Sequence, residues 1–230
     1  MPDQPTVLVT GASRGIGRAI ARRLAPEWHV LAAARSEEEL ASLAREIEGA
    51  GGRCTPLVLD VTDADAVART LDGVEADAVV NNAGIGIMKP LVDLAPSEWR
   101  RMMAVNLDGV YHVTRALLPG MLARRRGHVV NIASIAGRSA FPGGSGYVAT
   151  KHALLGFSEC LMLEVRDRGV RVSVILPGSV ATAFSSSGGD QSWKLPPEGV
   201  ADSVRHVLDA PPGVLVYSLE VRTLHPPPRH

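Results

Sequence analysis

Aromatic residues make up only 4% of this 230-residue chain, and its 24 Lys and Arg are balanced by 24 Asp and Glu. A nucleic-acid binder needs a positive field over the phosphates, and rings on which bases stack; there is no net field and few such rings, so nucleic acid is not an expected partner. No apolar run reaches the roughly 18 residues of a membrane span, and Met1-Pro2-Asp3-Gln4 lacks the basic-then-apolar order of an export signal. The expectation is a cytoplasmic protein with no membrane partner. The two cysteines, Cys54 and Cys160, stand far apart without ligand neighbours, and His112, His128 and His152 show no ligand spacing. That excludes a disulfide framework and predicts no metal site.

What is present is a recurring pattern. Short continuous apolar runs (Val7–Val9, Val30–Ala33, Leu57–Leu59, Val79–Val80, Val129–Ile132, Val172–Ile175, Val214–Val216) alternate with helix-period stripes such as Leu40, Leu43, Ile47 and Val110, Val113, Leu117, Met121. Continuous rather than alternating hydrophobicity marks strands covered on both faces. The order predicts an α/β fold: one domain over residues 1–230, a doubly wound parallel sheet of about seven strands with helices on both faces, and a short proline-rich tail at about 225–230. Ligands of such sheets sit beyond the carboxyl ends of the strands.

Directly after the first strand comes Thr10-Gly11-Ala12-Ser13-Arg14-Gly15-Ile16-Gly17, followed by Ala19, Ile20 and Leu24 at helical spacing. Glycines let a backbone approach a pyrophosphate, whose charge is held by the free N–H groups of the next helix. Taken alone, the turn is also compatible with another nucleotide or with a plain strand-to-helix connection. Further along stand Asn81-Asn82-Ala83-Gly84 and Tyr147-Val148-Ala149-Thr150-Lys151. In this order the three motifs resemble the short-chain dehydrogenase/reductase family, from the first strand to about Thr182, including members that reduce 3-oxoacyl groups on acyl carrier protein.

The resemblance implies a Rossmann-type fold and a nicotinamide cofactor. Gly11, Ser13, Arg14, Gly15, Ile16 and Gly17 would surround the pyrophosphate. Asp60 and Val61 would meet the adenine, and Asn82, Ala83 and Gly84 would support its pocket. Pro177, Gly178, Val180 and Thr182 would hold the carboxamide and pyrophosphate, with Tyr147 and Lys151 at the nicotinamide ribose. Asp60 has a second reading as a helix cap, for which Thr62 and Asp63 are better placed. Cofactor choice follows from charge: NAD-specific sites place a carboxylate after the second strand, whereas this chain has Ala34, then Arg35 and Ser36, with Arg14 in the glycine turn. Two guanidinium groups around a 2′-phosphate predict NADP(H).

Tyr147 and Lys151 share a helix face one turn apart. At about 4 Å and an effective dielectric near 20, the ammonium would favour a phenolate by roughly 4 kcal/mol, about three pKa units before desolvation subtracts. By the resemblance Tyr147 is the general acid in reduction and general base in oxidation. Ser134 would bond the substrate oxygen, and Asn106 would join a water chain to the lysine. Gly137, Ala140, Phe141, Ser179, Phe184 and Trp193 are expected on the substrate side, facing a small carbonyl or alcohol compound. The polar Ser185–Asp190 stretch is expected to form a mobile loop near the site, and the segment between Thr182 and Pro196 is short for a substrate lid, which predicts a fairly open site. Arg124-Arg125-Arg126 could attract an acidic acyl carrier protein or simply offset a helix dipole. Val110, Leu117, Leu118, Leu154, Leu161 and Leu163 could pair copies into a homodimer or homotetramer, or face the sheet. Two other readings stay open: a non-catalytic NADP(H) sensor or scaffold of the same fold, and a methyltransferase resting on the glycine turn alone.

Overall fold

A computed structural model of the chain describes residues 4–182, 184 and 192–224. Seven strands, β1 (Thr6–Thr10), β2 (His29–Ala34), β3 (Arg53–Val58), β4 (Ala78–Asn81), β5 (Gly127–Ile132), β6 (Val170–Pro177) and β7 (Ser218–Val221), form one sheet in the order β3-β2-β1-β4-β5-β6-β7. Every pairing is parallel. The helices are α1 (Gly15–Leu24), α2 (Glu37–Gly49), α3 (Ala64–Leu71), α4 (Pro96–Met103), α5 (Gly109–Ala123), α6 (Ser145–Val165) and α7 (Pro197–Leu208). This is the Rossmann-type arrangement, and its strand order reverses between β1 and β4.

Each face of the sheet buries its own core. Along β1, Val7 and Val9 pack with α1, α2 and α7, while Leu8 packs with α3, α5 and α6. The stripes read from the sequence all point inward: Leu40, Leu43 and Ile47 on α2, and Val110, Val113, Leu117 and Met121 on α5. Helix starts follow local chemistry. Ser36 caps α2 through the Glu39 amide at 3.4 Å, and Asp63 caps α3 through the Ala66 amide at 2.9 Å. The cap of α3 is therefore Asp63 rather than Asp60. No helix among the described residues is long and apolar enough to cross a membrane, and they hold no cluster of three metal-ligating side chains.

A buried polar chain ties the middle strands to the helices. Asn81 Nδ2 donates to Thr114 Oγ1 (3.0 Å) on α5 and to Asn131 Oδ1 (2.9 Å) on β5. Asn131 Nδ2 then donates to Ser158 Oγ (2.8 Å), and Ser158 donates to the Leu154 carbonyl (2.6 Å) within α6. Buried amides with satisfied donors fix one register where apolar packing alone tolerates slippage.

Two expectations need correction. The last strand is Ser218–Val221, not Val214–Val216: Val214 turns its N–H back to the Pro211 carbonyl (3.0 Å), beside Gly213 in the left-handed region. The chain joins β6 only afterwards, with Ser218 opposite Val174. The third strand starts earlier than Leu57, because an edge strand needs only one apolar face, and Arg53 and Thr55 occupy its open side. Of the six apolar residues offered for pairing copies, Val110, Leu117, Leu154 and Leu161 are buried in the chain's own core, Leu118 packs partly against it, and Leu163 is exposed. The Ser185–Asp190 loop and the 225–230 tail lie outside the described residues.

His128 on β5 sits in the core with Nε2 2.7 Å from Ser173 Oγ, whose hydroxyl donates to the Val216 carbonyl at 2.7 Å. The network assigns the proton to Nε2 and leaves Nδ1 buried without a partner among the described residues. Burial, helped by Arg171, pushes the imidazole pKa down to about 3. The unfolded chain takes up a proton near pH 6.5 that the folded chain refuses, so this group removes stability as pH falls from 6.5 towards 3. Thermal unfolding at stepped pH should show wild type losing up to about 1.4 kcal/mol per pH unit more than His128→Gln across that window. Parallel pH profiles would rule this assignment out.

Candidate active site

The carboxyl ends of β1 and β4 flank the point where the strand order reverses, and one polar network locks them together. Thr10 Oγ1 accepts from the Asn82 and Ala83 amides at 3.0 and 3.1 Å, while Asn82 Nδ2 donates to the Thr10 and Gly11 carbonyls at 3.0 and 3.2 Å. This brings the glycine turn against the Asn82–Gly84 segment. Gly11 has φ +65°, and a Cβ there would lie 2.9 Å from Ala83 Cα; one on Gly17 would lie 2.2 Å from the Gly11 carbonyl oxygen. No larger residue fits either position. Gly17 lies beneath the turn rather than on the cleft wall; Gly11, Ser13, Arg14, Gly15 and Ile16 line the cleft. Helix α1 begins there with Arg14 extended, no side chain capping it and no acid in its first turn. That leaves a positive helix end open to an anion.

The cleft measures roughly 1060 Å³ and runs across the sheet from Ala34 to Phe184. At the Ala34 end, Arg35 and Ser36 meet Asp60 and Val61, with Arg35 Nη1 3.8 Å from Asp60 Oδ2. Asp60 Oδ1 accepts from the Thr62 amide (3.0 Å) and hydroxyl (2.8 Å). Burial works to raise this carboxyl, but the two Thr62 bonds, with Arg35 and Arg101, outweigh it and hold the pKa below the usual range. Behind Val61, the His112 ring is 3.1 Å from its carbonyl oxygen, steadying the loop from α5.

At the other end, Ser134 follows β5, while Tyr147 and Lys151 project from the first two turns of α6. The Tyr147 and Lys151 side chains line the cleft, 8% and 5% exposed. Ser134 accepts from the Ala136 amide at 3.1 Å, and its hydroxyl acts on the neighbouring Tyr147 phenol to lower its pKa. The acidified phenol expected from the spacing is not what this geometry produces. Lys151 Nζ donates to the Ile132 carbonyl at 3.0 Å and stands 5.7 Å from the Tyr147 ring centroid. Burial raises the Tyr147 pKa above its ordinary value, against the pull of Ser134, and lowers that of Lys151 to about 8. Desolvation wins over attraction because both groups are withdrawn from water together.

Asn106 lies off the cleft wall, buried in a π-helical turn (Ala104–Asp108) between α4 and α5. Its Oδ1 accepts from the Ile85 amide (2.8 Å), while Nδ2 donates to the Ile85 carbonyl (2.8 Å) and to Thr150 Oγ1 (3.0 Å). It thus joins the segment after β4 to the turn of α6 that carries Tyr147 and Lys151. Asn82, Ala83, Gly84, Pro177, Gly178, Val180 and Thr182 all line the cleft, as do Ala140, Phe141, Ser179 and Phe184. Gly137 does not: it packs against Leu155 and the Lys151 backbone. Trp193 also lies off the wall, its carbonyl accepting from Thr223 at 2.6 Å. The sequence reading missed Gly86, Met88 and Arg101, all on the wall; the position of Gly86 and Met88 just past the Asn82–Gly84 motif was the available signal. Arg124, Arg125 and Arg126, at the amino end of β5, reach Glu75, the Asp167 carbonyl and Asp77 respectively.

The sequence model of short chain dehydrogenases matches residues 5–192. A 3-oxoacyl-[acyl-carrier-protein] reductase of Haemophilus influenzae is 38% identical over 181 residues, covering 76% of this chain and 74% of that protein. Among solved structures, an alcohol dehydrogenase of the archaeon Thermococcus sibiricus complexed with 5-hydroxy-NADP superposes with a TM-score of 0.91 at 32% identity, over 99% of this chain and 100% of that one. A 3-oxoacyl-[acyl-carrier protein] reductase of Brucella melitensis with bound NAD gives 0.87 at 36% identity, over 96% and 90%. The chain belongs to the short-chain dehydrogenase/reductase family, oxidoreductases that work with a nicotinamide cofactor on CH–OH and keto groups.

Proposed function

We propose that the protein is an NADP(H)-dependent oxidoreductase that interconverts a carbonyl compound and its alcohol, with Tyr147 as the proton donor and acceptor. The observation that carries the reading is the convergence of Ser134, Tyr147 and Lys151 in a cleft continuous with the glycine turn. When bound, the nicotinamide supplies or takes up the hydride. The chain's own work is to hold the cofactor, orient the carbonyl and move one proton.

The residues fit such a group. The Gly11–Ile16 turn and the open end of α1 suit the pyrophosphate, Asp60 and Val61 the adenine, Lys151 the ribose hydroxyls, and the Pro177–Thr182 segment the carboxamide side. For the 2′-phosphate, Arg14, Arg35 and Ser36 supply charge-assisted hydrogen bonds. Asp60 and Glu39 face Arg14, Arg35 and Arg101 on this part of the wall, so the cations prevail by one charge.

Reduction requires a proton at the carbonyl oxygen as the hydride arrives. A phenol whose pKa burial has raised keeps that proton at neutral pH, and the Ser134 hydroxyl beside it can bond the same oxygen. Lys151 acts beside the phenol as a cation and as a ribose donor, and Asn106 positions the helix turn that carries both. The sensor reading has nothing in its favour that this constellation does not explain better.

Replacing Tyr147 by Phe should leave NADPH affinity within about twofold and lower kcat for ketone reduction by about 10³-fold, a loss typical of a missing general acid. Retention of a tenth or more of the wild-type rate would remove Tyr147 from this role. Ala34→Asp combined with Arg35→Gln should lower the NADPH-to-NADH preference by about 10²-fold, from two lost or opposed charge-assisted bonds. Dissociation constants measured by quenching of intrinsic fluorescence test this, and an unchanged ratio contradicts the phosphate assignment.

A further inference from the structure

The cleft is divided by charge. Its charged lining residues among those described are Arg14, Arg35, Glu39, Asp60, Arg101 and Lys151. Arg14, Arg35, Glu39 and Asp60 belong to the wall formed after β1, β2 and β3, and Arg101 acts on Asp60. Only Lys151, already tied to the Ile132 carbonyl, lies beside Tyr147. Beyond Tyr147 the described wall carries no free charge. The two nearest cations in sequence, Lys89 and Arg138, are paired away, Lys89 with Glu98 at 2.5 Å and Arg138 with Glu220 at 3.6 Å and Ser218 at 2.9 Å.

What lines this end instead is apolar and built around two glycines. The Phe184 ring rests on Gly86, where a Cβ would lie 2.7 Å from Phe184 Cζ and 2.8 Å from Met88 Cε. The Phe141 ring rests on Gly144, where a Cβ would lie 2.7 Å from Cε2. The Phe184 ring centroid stands 5.8 Å from that of Tyr147. Met88, Phe141 and Phe184 remain 46%, 42% and 47% exposed, although each is large and apolar. Two rings and a thioether left open around one phenol make a wall that gains by covering with apolar surface. A carboxylate or phosphate placed there would lose its hydration and find no cation in return.

Resting on the proposed activity, we infer that the substrate is an uncharged ketone or its alcohol carrying an aromatic or extended alkyl flank, and that the enzyme discriminates against anionic carbonyl compounds. Met88, Phe141 and Phe184 seat the apolar flank, and the hydroxyls of Ser139 and Ser179 are the polar groups at its margin. Hydroxy acids, sugar acids and phosphorylated sugars are the classes this wall rejects.

A matched pair isolates the charge: methyl 4-acetylbenzoate and 4-acetylbenzoate share one skeleton and differ in a carboxylate. With NADPH oxidation followed by absorbance, the neutral ester should show a kcat/KM at least tenfold above the acid. Met88→Arg, which installs the missing cation, should bring the ratio to within about twofold of unity or reverse it. Phe184→Ala should raise KM for the ester about tenfold, while the NADPH dissociation constant stays within twofold. Equal efficiency for the two compounds, or a ratio unmoved by Met88→Arg, overturns the substrate assignment alone. Absence of turnover with both compounds, while NADPH still binds, overturns the proposed activity and this assignment with it.

Discussion

Everything at this site depends on two chain segments being held closer together than side chains normally permit. The loops after β1 and β4 meet through Thr10 and Asn82, whose backbone and side-chain groups satisfy one another, and they can meet only because residues 11 and 17 lack a Cβ. That contact opens the mouth of the sheet at its switch point and leaves the amino end of α1 facing the cleft. The second anchor is the Asn81, Asn131 and Ser158 chain, which fixes α6 to the strands one layer below. With α6 fixed, Tyr147 and Lys151 are delivered to the far end of the same groove.

The electrostatics of that far end follow from burial more than from pairing. A lysine and a tyrosine drawn into the interior each shift towards the neutral form, so the phenol holds its proton and the ammonium is weakly held. Charge concentrated at the other end of the groove, around Asp60 and the arginines, suits a polyanionic ligand there. Under the proposed function the two ends would divide the work of recognition: one would offer partners for phosphate and adenine, the other apolar cover for a neutral carbonyl compound.

Much of this was legible in the amino-acid order because it is local. Continuous apolar runs and 3.6-residue stripes disclosed the layered sheet, the glycine spacing disclosed the tight turn into α1, and the four-residue gap from Tyr147 to Lys151 disclosed a shared helix face. What could not be read is what depends on distant partners. The edge strand β7 carries Glu220 and only one apolar face, so the more hydrophobic Val214–Val216 run drew the assignment although Gly213 had turned it away from the sheet. The phenol's acidity was misjudged because burial, which depends on how α6 packs over the strands, raises its pKa and cannot be read from the four-residue spacing. The division of the cleft by charge was likewise invisible, since it rests on Lys89 and Arg138 finding Glu98 and Glu220.

The account stands on the cleft seating a nicotinamide dinucleotide in one direction. A crystal structure of the protein grown with NADP+ tests it most directly. The pyrophosphate is predicted on the Gly11–Ile16 turn, the 2′-phosphate between Arg14 and Arg35, and the nicotinamide beside Tyr147. Density for the dinucleotide in the reverse direction, or outside this cleft, would contradict it.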